Sequence, residues 1–271
     1  MDFNFQRIPP SPRLRPFVRT FWFLEGNLPA QGSYIHRHMA DCCPQIFFHY
    51  KGLYVELTET GDVSQGASGI HGQSGFHRRF QTSESFGMFG AYLYPYALPG
   101  LFGISALSCS NYLPDLRSVL GSRGTEIEEK MMLAENNRER WAVLNHFLEE
   151  CLDKQKWEEH PVMQAIHQVI HSDQPIRVDE LACRYNLSQR QLERKFIEWG
   201  GFSPKLCLRI ARFQTVLHKY PARQFRSLTE IAYECGYYDQ SHFIHDFISF
   251  SGYHPKKFFA GSNEATAWRN P

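Results

Sequence analysis

Two stretches of the chain repeat one layout about fifty residues apart: VDELACRYNLSQRQLERKF at 178–196 and SLTEIAYECGYYDQSHFIHDF at 227–247. Glu180-Leu181-Ala182 aligns with Glu230-Ile231-Ala232 at an offset of 50. Past the turn, Leu192, Phe196, Gly201 and Pro204 align with Phe243, Phe247, Gly252 and Pro255 at an offset of 51. The one-residue difference falls in the turn, where insertions cost little. A chain written this way must fold here as two copies of one supersecondary unit.

Each copy reads as a short helix, a turn and a longer helix. Leu181, Ala182 and Tyr185 make an apolar face on the first helix, and small Ala182 and Ala232 let the next helix approach closely. Ser188 and Asp239 suit the N-cap of the second helices, because their side-chain oxygens can accept a backbone N–H that the helix leaves unpaired. Leu192, Phe196 and Trp199 recur at helical spacing and face inward, leaving Arg190 and Arg194 four apart on another face. In the second copy Phe243, Phe247 and Phe250 face inward, away from Gln240, Ser241, Ile244 and His245. This is a helix-turn-helix written twice. A rigid second helix with an exposed polar N-terminal turn can enter the major groove, where Arg pairs with guanine and Gln with adenine. The candidate DNA contacts are Ser188, Gln189, Arg190, Gln191 and Arg194 in the first unit, with Asp239, Gln240, Ser241, His242 and His245 in the second.

Charge points the same way. Residues 160–260 hold 13 Lys and Arg against 9 Asp and Glu, whereas 1–159 hold 15 against 18. The basic segment is the one expected to meet a polyanion.

In ELA…LSQRQLERKF…GGFSP and LTEIAYECGYYDQSHFIHDF…SGYHP the chain resembles the AraC/XylS family of bacterial transcription regulators, over roughly 160–260. The stretch LCLRIARFQTVLHKY (206–220) resembles the family's connecting helix, Arg209 and Arg212 included. A helix of that length spans about 22 Å, and the resemblance implies a rod that sets the two units on adjacent major-groove segments of double-stranded promoter DNA. His245 stands where the family usually has Arg, and His254 where Ser or Val is common before Pro. The resemblance also implies an N-terminal β-domain that binds a small-molecule effector or mediates homodimerisation, and a contact with RNA polymerase.

The first hundred residues read as β. FVRTFWFLEG (17–26), PQIFFHYKG (44–52), YVELTE (54–59) and FGMFGAYLYP (86–95) are rich in aromatic and β-branched residues and punctuated by Gly, Pro and Asn. The stretch VSQGASGIHGQSG (63–75) reads as hairpin loops. TEIEEKMMLAEN (125–136), RERWAVLNHFLEECLDKQ (138–155) and PVMQAIHQVIH (161–171) have helical spacing, with a boundary near 157–161. The expected fold class is α+β: an antiparallel β-rich domain, cupin-like or a sandwich, at 1–115, a helical connector or dimerisation region at 116–159, and an all-α DNA-binding domain at 160–260. ADCCPQIFFHYKG and FGAYLYPYALPGLFGI resemble a sensor domain of undefined ligand found ahead of such helix-turn-helix pairs. Phe21, Trp22, Phe23, Phe47, Phe48 and Tyr50 are candidates to line an apolar cavity or to pack a core.

His36-x-His38, with Asp41, His49, His71 and His77, leaves open a cupin-like metal-binding enzyme or sensor with an appended DNA-binding domain, although the downstream Glu and His spacing of a cupin site is absent. No nucleophile–base pair, phosphate loop or paired carboxylates stand out, so the reading assigns no catalytic residue, no metal and no cofactor. Another reading has the second unit touching RNA polymerase rather than bases. Seven cysteines without a C-x-x-C read as free thiols. No apolar run reaches the roughly 18 to 20 residues of a spanning helix, and the N-terminus carries Pro and Arg where a signal peptide needs an apolar stretch. The expected location is the cytoplasm, away from the membrane.

Overall fold

The computed structural model describes residues 2–155, 159–172, 176–220 and 227–261. Part of the expected boundary at 157–161, and Arg223 and Arg226 of the basic segment, lie outside the described residues. Nine strands open the chain: β1 (Asp2–Ile8), β2 (Val18–Asn27), β3 (Tyr34–His38), β4 (Gln45–Lys51), β5 (Val55–Thr58), β6 (Gly61–Ser64), β7 (Ser68–His71), β8 (Arg78–Thr82) and β9 (Phe86–Leu93). They form two antiparallel sheets, in the orders β1-β2-β9-β4-β7 and β3-β8-β5-β6.

The aromatic strands look continuously apolar because the five-stranded sheet is covered on both faces. Successive residues of a strand point to opposite sides. Phe21 and Phe23 of β2, Ile46 and Phe48 of β4, and Phe89 and Ala91 of β9 join the core shared with the helices. Trp22, Leu24, Phe47, Phe86 and Tyr92 join a second core with Tyr34 and Phe80 of the smaller sheet. The helical cover includes α1 (Ala97–Phe102), α2 (Ala106–Cys109), α3 (Leu116–Leu120), α4 (Ser122–Leu133) and α5 (Asn137–Lys154). Helix α5 is seated by Trp141, edge-on to Phe21 at 6.4 Å, and by Arg140 over the Tyr50 ring at 3.6 Å.

One expectation is corrected. Residues 63–75 are not only loops: β7 is buried at all four positions and pairs with β4 from Gln45↔His71 to Phe48↔Ser68. Its Gly and Ser fit because Gly69 lies under the Phe47 ring and against the Pro114 carbonyl, where a Cβ would collide at 2.9 Å. Strand β1, ahead of the Pro- and Arg-rich stretch, pairs with Phe21–Asn27 of β2.

The rest is helical: α6 (Pro161–His171), α7 (Val178–Arg184), α8 (Gln189–Gly200), α9 (Pro204–Lys219), α10 (Leu228–Glu234), α11 (Gln240–Ser251) and α12 (Pro255–Phe259). Helix α6 packs on α8 and α9. Among the described residues no helix is long and apolar enough to cross a membrane.

Candidate DNA interface

The repeat is a repeat in three dimensions. α7 and α8 form the first unit and α10 and α11 the second, with α9 between them. In each turn one residue takes a left-handed conformation, Asn186 at φ 54° and Gly236 at φ 72°. Gly does this without steric cost and Asn more easily than most residues. The next residue then bonds back to the small alanine: Leu187 N–H donates to Ala182 O, and Tyr237 N–H to Ala232 O, both at 2.9 Å. The offset becomes 51 only afterwards, so the inserted residue is Tyr238. It is 86% exposed beside the start of α11.

The recognition helices are built at both ends by local chemistry. Ser188 Oγ accepts from Gln191 N–H (3.2 Å) and Gln191 Oε1 from Ser188 N–H (2.9 Å), a reciprocal cap. Asp239 Oδ1 accepts from His242 N–H at 2.7 Å. Gly201 and Gly252 close the helices at φ 80° and 72°. His254, where Ser or Val is common in the resembled family, caps α12 by accepting from Lys256 N–H at 3.3 Å. Removing the first cap with Ser188→Ala is expected to cost about 1 kcal/mol of stability. Thermal unfolding of the full chain checks this, and an unchanged melting point would mean the turn holds without its cap.

The ten candidate residues do not all present themselves equally. Gln189, Arg190, Gln191 and Arg194 are exposed, and neither guanidinium has a hydrogen bond or ion pair among the described residues. Ser241 and His245 are exposed as well. Gln240 accepts from Thr229 Oγ at 2.7 Å, tying α10 to α11. His242 lies edge-on to Tyr237 at 5.3 Å, with Nε2 3.6 Å from Asp246 Oδ2. Ser188, Gln191 and Asp239 therefore shape the helix ends, while Arg190, Arg194, Ser241 and His245 point outward unencumbered by such caps. Between the units runs a cleft walled by Gln189, Lys205, Arg209, Arg212 and His242.

Asp246 escaped the sequence reading, although an Asp inside the apolar run HFIHDFISF was a signal. It is fully buried, and Arg209 of α9 donates to it through Nη2 (2.6 Å) and Nε (3.2 Å). The hydrogen bonds to this carboxylate raise the Arg209 pKa. One connector arginine thus orients the second recognition helix.

Both units also rest on the β-half through their C-terminal ends. Gly201 sits against Gln73 and Ser110, and Ser110 Oγ donates to Gly201 O at 2.9 Å. Gly252 sits against Arg37 and His77, with Arg37 Nη1 donating to Ser251 O at 3.2 Å. Ala40 N–H donates to Phe250 O (3.0 Å), and Gln214 Nε2 to Ala40 O (2.6 Å). The docked ends lie about 17 Å along each helix from its polar first turn.

Inside the sandwich a cavity is lined by Trp22, His36, His38, Phe47, His49, Tyr54, His71 and Phe80, among others. Of the six aromatics considered for such a cavity, Trp22 and Phe47 line it. Phe21, Phe23 and Phe48 point to the helical face, and Tyr50 turns to Glu25 at 2.7 Å. Burial pushes His36 and His38 down to about 3 and His49 to about 4, and holds His71 well below the ordinary range. His71 Nδ1 meets Gly72 O at 3.1 Å, and His38 Nε2 meets Gln45 Nε2 at 2.8 Å. Their other ring nitrogens, the Tyr54 hydroxyl and the Trp22 indole N–H are buried without a hydrogen-bond partner among the described residues. Among those residues, no three His, Cys, Asp or Glu side chains are placed to share a metal ion.

Family models match the chain twice, as a domain of unknown function (DUF6597) over residues 6–112 and as a helix-turn-helix domain over 181–261. No curated protein matches significantly. Among solved structures, ToxT from Vibrio cholerae is similar at 13% identity and a TM-score of 0.47, covering 95% of this chain and 97% of that one. ToxT with unsaturated fatty acid bound gives 13% and 0.45 over 93% and 98%. The AraC-like transcriptional activator CuxR gives 11% and 0.25 over 81% and 87%. Two ordered helix-turn-helix units behind an N-terminal antiparallel β-domain, with the helix-turn-helix match over residues 181–261, support a DNA-binding transcription regulator of the AraC type.

Proposed function

We propose that residues 160–260 read operator DNA as two adjacent units while residues 1–115 control them, with an effector seated in the sandwich cavity. The observation that carries the reading is the pair of exposed, capped recognition-helix starts flanking one basic cleft. The buried polar atoms of the cavity support an effector site, since each costs about 1–3 kcal/mol unless something pairs with it. The contacts of Arg37 and Ala40 with α11 and its C-terminal end would carry the signal, because Arg37 lies between the cavity residues His36 and His38 on β3. Residues 116–159 connect the halves or pair two chains as a homodimer, the second unit meets RNA polymerase beside the bases, and the protein works in the cytoplasm.

A fragment of residues 157–262 should bind double-stranded promoter DNA alone, and more weakly as salt rises, because Lys and Arg displace counterions. A folded fragment with no affinity at low salt would sink the assignment. Within the full chain, Arg190→Ala or Arg194→Ala should each cost about 1–3 kcal/mol of binding, concentrated at one or two base pairs. Binding to an operator library separates base reading from phosphate contact: a uniform loss across all sequences assigns both arginines to the backbone.

A further inference from the structure

Cys42 and Cys207 are 165 residues apart in sequence, yet their sulfurs lie 3.0 Å apart. Cys42 belongs to the loop between β3 and β4, inside the β-half. Cys207 is in the first turns of α9, the rod that joins the two DNA-binding units. Both side chains are buried, at 4% and 1% exposure. The neighbouring thiol, Cys43, is occupied differently, accepting from Arg19 Nη1 at 3.3 Å. Every cysteine is a free thiol in this structure.

Two thiols in contact can be mere apolar filling, but this pair differs in two respects. It sits where the halves meet, beside the Ala40–Phe250 and Gln214–Ala40 hydrogen bonds, and no disulfide crosses that seam among the described residues. Cys42 also lines a polar cleft with Arg19, Asp41, His171, Gln214 and His218. A small polar oxidant has a route to one sulfur of the pair, and the second sulfur is already in place behind it.

We infer that Cys42 and Cys207 are a covalent modification site, a reversible disulfide that a peroxide closes to lock the DNA-binding half onto the β-half. In the first step the Cys42 sulfur, as thiolate, attacks one peroxide oxygen. The O–O bond breaks, the departing oxygen takes a proton and leaves as water, and Cys42 becomes a sulfenic acid. In the second step the Cys207 sulfur attacks Cys42 Sγ. The S–O bond breaks, a second water leaves, and the S–S bond forms. The two thiols lose two electrons and two protons, and the peroxide is reduced to two waters. Burial, reinforced by the Cys207 thiol and by Asp41, keeps Cys42 protonated, so closure is slow and answers sustained rather than brief exposure. A dithiol reverses it by exchange.

The bond would anchor the first turns of α9, and with them the spacing between the two units and the β-half. The test treats the native full-length chain with hydrogen peroxide, blocks remaining thiols, and maps peptides with and without dithiothreitol. The expected product is a Cys42–Cys207 peptide pair that dithiothreitol releases. Cys43→Ala should keep the pair, while Cys42→Ala and Cys207→Ala, checked for folding by circular dichroism, should lose it. If either of these two variants fails to fold, the wild-type map decides by itself. The proposal is overturned if peroxide yields a Cys42–Cys43 bond, dimers through the exposed Cys183, over-oxidised Cys42 without a cross-link, or a peroxide-resistant pair that alkylates only after unfolding.

Discussion

Lowering the pH from 7 to about 5 is expected to unfold the chain, with urea midpoints falling steeply below about pH 6.5. The cause is the buried histidine group of the sandwich. Desolvation lowers the folded-state pKa of His36 and His38 to about 3 and of His49 to about 4, and His71 is lowered strongly, with His38 and Arg78 opposing a further positive charge beside it. In the unfolded chain histidine titrates near 6.5. The folded pKa is the depressed one, so the stability is fully present above about pH 6.5. It is lost as pH falls toward the folded values, because only the unfolded chain takes up the protons. Each such histidine changes stability by about 1.4 kcal/mol per pH unit inside that window. Several together rival the roughly 5–15 kcal/mol that holds an ordinary domain. Urea unfolding at pH 7, 6 and 5 measures the slope, and His49→Gln should make it shallower. Midpoints that stay level from pH 7 to 5 would mean the cavity accepts protonated imidazole, contrary to the desolvation argument.

Arg209→Leu is expected to cost about 3 kcal/mol of stability, at the lower end for breaking a buried pair, and to weaken DNA binding by the second unit. Asp246 is fully buried and Arg209 is its strongest partner, while the guanidinium is about one-third exposed. The loss is therefore set by the carboxylate left behind rather than by the charge removed. His242 and His245 lie 3.6 and 3.7 Å from that carboxylate and would compensate only when protonated. The double variant Arg209→Leu with Asp246→Leu should recover a large part of the stability, because an apolar pair removes the stranded charge. Denaturant unfolding of the single and double variants decides it. If the single variant is as stable as the parent, the ion pair is not what orients α11.

The apolar spacing of Leu192 and Phe196, and of Phe243 and Phe247, determined both recognition helices from sequence alone. So did the caps at Ser188 and Asp239 and the glycines at 201 and 252. These signals act within one or two turns of backbone, so the neighbouring residues alone specify them. The exposure of Arg190, Arg194, Ser241 and His245 follows from the same periodicity. Tertiary structure decided everything that joins distant segments. Ser68–His71 looks like loop because Gly and Ser have low strand propensity, and it becomes a strand because β4 offers its edge and Phe47 and Pro114 leave no room for larger residues. His36, His38, His49 and His71 come from three strands in two sheets, and only the packing of one sheet on the other brings their rings together. Arg209 meets Asp246 because α9 packs against α11 within the helical half, and Cys42 meets Cys207 because that half packs against the β-half. Periodicity says which way a residue faces on its own element, but a pair separated by 37 or 165 residues exists only after the chain has closed the loop between them.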